Sequence, residues 1–212
     1  LFGGESLQQF GFVHDTEVGK SGFITALYIV FVPIISLFLG RRGSPLLWAA
    51  VALSLVGLWF LCIPPEGFTI AAGDLFVLAC AVVFSLHILV IGRYVLLVDA
   101  VELSMMQFFC GSILAFFAML ALESPTWIGW QTALPAMLWA GIMSNGIAYT
   151  LQIVGQRGMN DTTSSLILSL ESVFSVISGW LILNEVLSMR EGLGCVLMAA
   201  AVVLAQLPGN KR

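Results

Sequence analysis

Charge is what this chain has least of. Asp, Glu, Lys and Arg make up 9% of its 212 residues, against 59% hydrophobic, far from the averages of soluble domains. A soluble globular fold is therefore excluded, and a net charge of −4 spread over so few groups is no pointer to nucleic acid. Histidine occurs only as His14 and His87, too few for a multi-histidine metal site. The four cysteines, Cys62, Cys80, Cys110 and Cys195, form no CxxC pair and fall within or at the ends of apolar runs. They read as small packing residues rather than a disulfide or metal framework. Neither G-x-S-x-G, H-E-x-x-H nor a phosphate-binding P-loop occurs. No cofactor and no metal are expected, and neither hydrolysis nor ATP-driven work has its usual residues.

What is present is apolar sequence in runs of one length. A bilayer core roughly 30 Å thick needs about 20 residues of helix to cross it. The runs are too continuous for a transmembrane barrel, whose strands alternate apolar and polar, so helices that satisfy their own backbone remain. Charge gaps and Gly/Pro punctuation give eight spans at about 1–14, 20–40, 45–63, 70–92, 103–122, 131–154, 162–183 and 191–208. With the N-terminus cytoplasmic, the inner loops hold Arg41, Arg42, Arg93, Arg157, Lys211 and Arg212, against Lys20 and Arg190 outside. That distribution satisfies the positive-inside bias and places the C-terminus in the cytoplasm. Trp127 and Trp130 beside Pro125, and Tyr94 beside Arg93, read as interfacial anchors.

Two stretches echo each other. Phe23 to Ser36 (FITALYIVFVPIIS) and Leu166 to Gly179 (LILSLESVFSVISG) share five of 14 positions at an offset of 143, and L-Q-x-x-G at Leu7 recurs at Leu151. Ala50 and Gly57 likewise fall opposite Gly194 and Ala201. Matched spans are five crossings apart, and an odd separation reverses the direction of crossing, which describes an inverted repeat of five helices. The second unit is complete and the first holds its last three helices. Residues 1–66 are then the end of the first repeat and 67–212 the whole second one, and the expectation is an N-terminally truncated chain with eight helices of an original ten.

The run GKSGFITALYIVFVPIISLFLGRR (Gly19 to Arg42), FSLHILVIGRY (Phe84 to Tyr94) and SLESVFSVISGWLILNEVLS (Ser169 to Ser188) together resemble EamA-type members of the drug/metabolite transporter superfamily. The similarity covers essentially the whole chain. It implies an all-α, ten-helix carrier of the bacterial inner membrane, both termini cytoplasmic, with a central substrate cavity between two inverted halves. Many relatives carry proline after the glutamate of the second-half LE motif; Ser172 stands there, which removes an expected kink.

Several polar residues lie at membrane depth. Glu171 is about midway along the seventh span, where a charged group costs on the order of 2.5–3.5 kcal/mol unless it faces protein or water. Intramembrane carboxyls mark solute or ion paths by default, although a helix-binding hydrogen bond is the plainer alternative. Glu5 is the other deep acid. At the repeat offsets Glu5 maps onto Tyr149 and Tyr28 onto Glu171, so each half holds one carboxyl and one phenol on adjacent helices. Glu5, Tyr28, Tyr149 and Glu171 are expected at similar depth around one cavity. Gln8, Asn145 and Gln152 are further candidates for substrate binding, Asn145 foremost because Gly146 follows it, although buried amides commonly serve helix packing. His87 and Gln107, near the inner ends of consecutive antiparallel spans, are candidates for a cytoplasmic gate. Glu185 and Glu191 read as solvated loop acids.

The expected activity is secondary-active transport of small organic metabolites such as amino acids or related compounds, directed outward, by alternating access. A channel, an intramembrane enzyme and a purely structural membrane protein are the alternatives. Expected partners are a small-molecule solute, the lipid bilayer and, as one assembly, a second copy in a homodimer.

Overall fold

The computed structural model describes residues 1–41, 43–64, 71–124, 126–182 and 188–207. Arg42, Pro125, Glu185, Lys211 and Arg212 fall outside them. The described residues form helices and connecting turns, with no strand. In chain order these are α1 (Phe2–Val13), α2 (Val18–Ala26), α3 (Tyr28–Phe38), α4 (Pro45–Cys62), α5 (Asp74–Tyr94), α6 (Ala100–Leu122), α7 (Trp127–Trp139), a π-helix (Ala140–Tyr149), α8 (Thr150–Gln156), α9 (Asp161–Leu168), α10 (Glu171–Ile182) and α11 (Met189–Gln206). Among the described residues six runs are long and apolar enough to cross a membrane: Lys20–Phe38, Pro45–Cys62, Asp74–Tyr94, Ala100–Leu122, Asp161–Ile182 and Met189–Gln206. The protein is an all-α, multi-pass membrane protein. Its many outward-facing large apolar side chains, Phe38, Phe109 and Trp127 among them, are what a lipid solvent allows.

Local chemistry sets the helix ends. Ser44 caps α4 by accepting from Leu47 N at 3.2 Å, with Pro45 in the first turn, where its missing N–H costs nothing. Ser188 caps α11 reciprocally with Glu191, whose Oε2 accepts from Ser188 N at 2.8 Å while Ser188 Oγ accepts from Glu191 N at 3.2 Å. Asp99 Oδ1 takes Val101 N at 2.9 Å, so α6 starts three residues before the expected span 103–122. The expected span 131–154 is part of a longer run from Trp127, capped by Thr126.

Two rods are jointed rather than straight. At Leu27 the backbone N–H bonds Ile24 O at 3.1 Å, a tight three-residue step, and Leu170 N bonds Ile167 O at 3.1 Å in the same way. Pro33 weakens the first rod. In the second, Ser165 Oγ and Ser169 Oγ donate to the carbonyls of Thr162 (2.8 Å) and Leu166 (2.7 Å), side-chain bonds that bend helices. The joint therefore persists without proline: Ser172 N donates to Ser169 O at 3.2 Å, a bond proline could not make.

The chain packs as two compact units. The larger, residues 3–89 and 160–212, has a core of Ile29, Val32, Ala50, Leu58, Leu166 and Met198, all buried. Its tightest seam is α4 against α11. A Cβ on Gly57 would stand 2.9 Å from Met198 Cγ, and one on Gly194 would stand 2.7 Å from Leu61 Cγ and 2.9 Å from Gly57 O. Only glycine allows that approach, the small-residue packing expected where lipid provides no drive to associate. Moving Pro45–Cys62 along by 144 residues reproduces the bounds of α11, and moving Tyr28–Phe38 by 143 gives 171–181, beside Glu171–Ile182. The smaller unit, residues 1–2 and 90–159, gathers on Ile91, Val95, Ala100 and Ile153, with Leu103 against them. The division at residues 66 and 67 concerns which helices are copies, a different matter from this grouping.

Candidate functional site

Tyr28 and Glu171 are the first residues of α3 and α10, each placed just past a joint. Within the larger unit both line one cavity of about 300 Å³. Tyr28 is buried, whereas Glu171 is exposed at the cavity. α1 contributes Gln8 and Phe12, and Gln8 Nε2 donates to Thr25 Oγ1 at 3.4 Å. Ser21 and Thr25, one helical turn apart on α2, join the wall, with Gly22 between them. Nothing lies within 4 Å of where a Cβ on Gly22 would stand, so that residue contributes room. α4 ends at the cavity with Leu61 and Cys62, and α10 adds Ser172, Ser175 and Val176 beyond Glu171.

Ser21 is 1% exposed, and its Oγ has no hydrogen-bond partner among the described residues. A buried hydroxyl left unpaired costs roughly 1–3 kcal/mol. The wall holds one carboxyl, the phenol of Tyr28, four aliphatic hydroxyls, one amide and one thiol. Among the described residues no Lys, Arg or His belongs to it.

Two ion pairs tie the ends of the α2–α3 rod. Lys20 Nζ lies 3.0 Å from Asp74 Oδ2 with both side chains buried. Asp74 also accepts from Thr16 Oγ1 at 3.1 Å and from Ala71 N at 2.8 Å. Here α1 and α5 approach so closely that a Cβ on Gly73 would stand 2.7 Å from His14 O. At the far end Arg41, half exposed, pairs with the buried Asp161 that opens α9.

The expected site residues divide between the units. Gln8, Tyr28 and Glu171 share the cavity. Glu5 stands one turn before Gln8 on α1, partly buried, and does not line it. Asn145 and Tyr149 belong to the π-helix of the smaller unit, and Gln152 to α8, all three partly buried. A π segment widens the helix and frees its regular bonding, and such segments recur at functional positions. His87 stands on α5 in the larger unit and Gln107 on α6 in the smaller.

Sequence reasoning passed over Ser21, Thr25 and Ser175, read Cys62 as a packing residue and read Ser172 only as a missing proline. The available signal was the one-turn spacing of Ser21 with Thr25 and of Ser172 with Ser175, on the helices that carry Tyr28 and Glu171.

Comparison with known proteins fits this architecture. A model of the EamA-like transporter family matches residues 71–207. An uncharacterized transporter of Archaeoglobus fulgidus is 31% identical over 216 residues, covering 97% of this chain. The match spans 66% of that relative, just under two thirds of its length. A protein of known crystal structure, 22% identical, shares the fold with a TM-score of 0.81 over 98% of this chain and 73% of its own.

Proposed function

The chain belongs to the EamA-like transporter family, and on that ground we propose that it is a secondary transporter carrying small organic metabolites outward across the plasma membrane. Amino acids and related compounds are the class proposed. The observation that carries this reading is the cavity at the two helix joints, where Glu171, Tyr28 and Gln8 meet. A carboxyl at a membrane-depth cavity is costly to keep and is retained where solutes or ions pass. Mid-helix tight turns are where such rods flex.

In this reading the two sets of helices are inverted copies that rock about the site by alternating access, with a cytoplasmic C-terminus and a bacterial inner-membrane location. The matching bounds of α4 and α11, and of α3 and α10, support the duplication. Glu5, Tyr149, Asn145 and Gln152 are proposed as further solute or coupling contacts, and His87 and Gln107, each within its own unit, as gating residues.

Transport is tested in proteoliposomes with radiolabelled amino acids. Saturable uptake that is accelerated by unlabelled solute on the opposite side is the carrier's signature. A conductance that rises linearly with concentration would instead indicate a channel.

A further inference from the structure

The charges around the cavity point to one class of solute. Accepting the cavity as a solute site, we propose that it recognises a small organic molecule through a protonated amine, with Glu171 as the counter-charge.

Among the described residues Glu171 is the only wall residue that carries a charge when ionised at neutral pH, and no cationic side chain accompanies it. The nearest cation in sequence, Lys20, directly precedes Ser21, yet its ammonium is 3.0 Å from Asp74 and its side chain is 4% exposed. Arg41 is likewise committed, to Asp161. An anionic solute would therefore meet a like charge at low dielectric with nothing to offset it, whereas an ammonium would meet an opposite one.

The remaining polar groups suit the same choice. An ammonium has three N–H donors and needs acceptors, and hydroxyl oxygens of Ser172 and Ser175 follow Glu171 on the wall. Phe12, Leu61 and Val176 give the cavity an apolar flank for the body of the molecule. At about 300 Å³ it sits at the small end of ligand pockets.

Cys62 lines the same cavity and reports on its occupancy. In detergent-solubilised protein with Cys80, Cys110 and Cys195 replaced by Ala, the rate of N-ethylmaleimide labelling is followed by mass spectrometry. Three probes of one shape and different charge are compared: 2-phenylethylamine, 2-phenylethanol and phenylacetate. The amine is expected to halve labelling at a concentration at least tenfold below that of the alcohol, with phenylacetate without effect. Glu171→Gln should bring amine and alcohol to within about twofold of each other.

Phenylacetate protecting as well as the amine, protection by none of the three, or an amine preference that survives in Glu171→Gln would overturn the proposal. Should that variant fail to fold, the order of the three probes in the parent protein decides by itself. Labelling needs no transport, so amine-selective protection without flux in proteoliposomes would leave this inference standing and sink the transporter reading. Saturable flux without amine-selective protection would do the reverse.

Discussion

Ser54 and Met198 are 144 residues apart in the chain and touch, hydroxyl to thioether sulfur, at 3.3 Å. The contact joins α4 to α11 at positions separated by the same offset that carries the bounds of one helix onto the other. In a two-fold arrangement of copies, only residues on the axis meet their own equivalents. The glycine seam of Gly57 and Gly194 lies one turn to either side of that contact.

The seam should be the most sensitive packing in the larger unit. Gly57→Leu forces a side chain into space held by Met198 and by the backbone of α11, and overpacking of this kind costs about 1–3 kcal/mol. A clear drop in the thermal midpoint of the detergent-solubilised protein, followed by tryptophan fluorescence, is expected. Gly192→Ala is the control, since nothing lies within 4 Å of that added Cβ. Its midpoint should stay at the parent value or rise slightly, since alanine is the better helix former.

The two ion pairs should rank by burial. Lys20→Met leaves Asp74 buried without its cation, which costs roughly 3–5 kcal/mol, and Lys20→Met with Asp74→Leu should recover much of the loss. Arg41 is half exposed, and the Asp161 it leaves behind stands in the first turn of α9, where the helix N-terminus favours an anion, so Arg41→Gln should cost less than Lys20→Met. Denaturation midpoints of the three variants give the order directly, and an Arg41 effect equal to that of Lys20 would contradict it.

Glu171 carries the mechanistic prediction. If its carboxyl takes up and releases the coupling proton, Glu171→Gln should remove any dependence of flux on an imposed pH gradient while leaving the protein folded. Counterflow measured with and without the gradient separates the outcomes. A variant that still responds to the gradient would mean that another group couples.

Much of the architecture was legible because lipid imposes simple rules on sequence. Long charge-free runs marked the spans, and offsets of 143 and 144 paired Tyr28 with Glu171 before either was placed in space. The helix ends were less visible: Asp99 and Thr126 begin their helices by side-chain caps that apolarity does not register. The π-helix left no mark, because Gly141 and Gly146 in an apolar run fit an ordinary helix equally well. Ser21 and Ser175 were passed over for a different reason. Small hydroxyls are common packing residues in membrane helices, and what distinguishes these is that helices remote in sequence bring them to one wall. Ser172 shows the converse error, since losing proline did not straighten the rod once Ser165 and Ser169 bent it.

The α2–α3 rod is pinned by Lys20 at one end and Arg41 at the other, and it is jointed at Leu27. A beam held at both ends and hinged near its middle bows under load, and its greatest sideways travel is at the hinge. Tyr28 sits there, facing the cavity. Strain on this rod would therefore be delivered to the phenol rather than to the membrane surfaces, so that a solute pushing on Tyr28 has the longest lever the helix can offer.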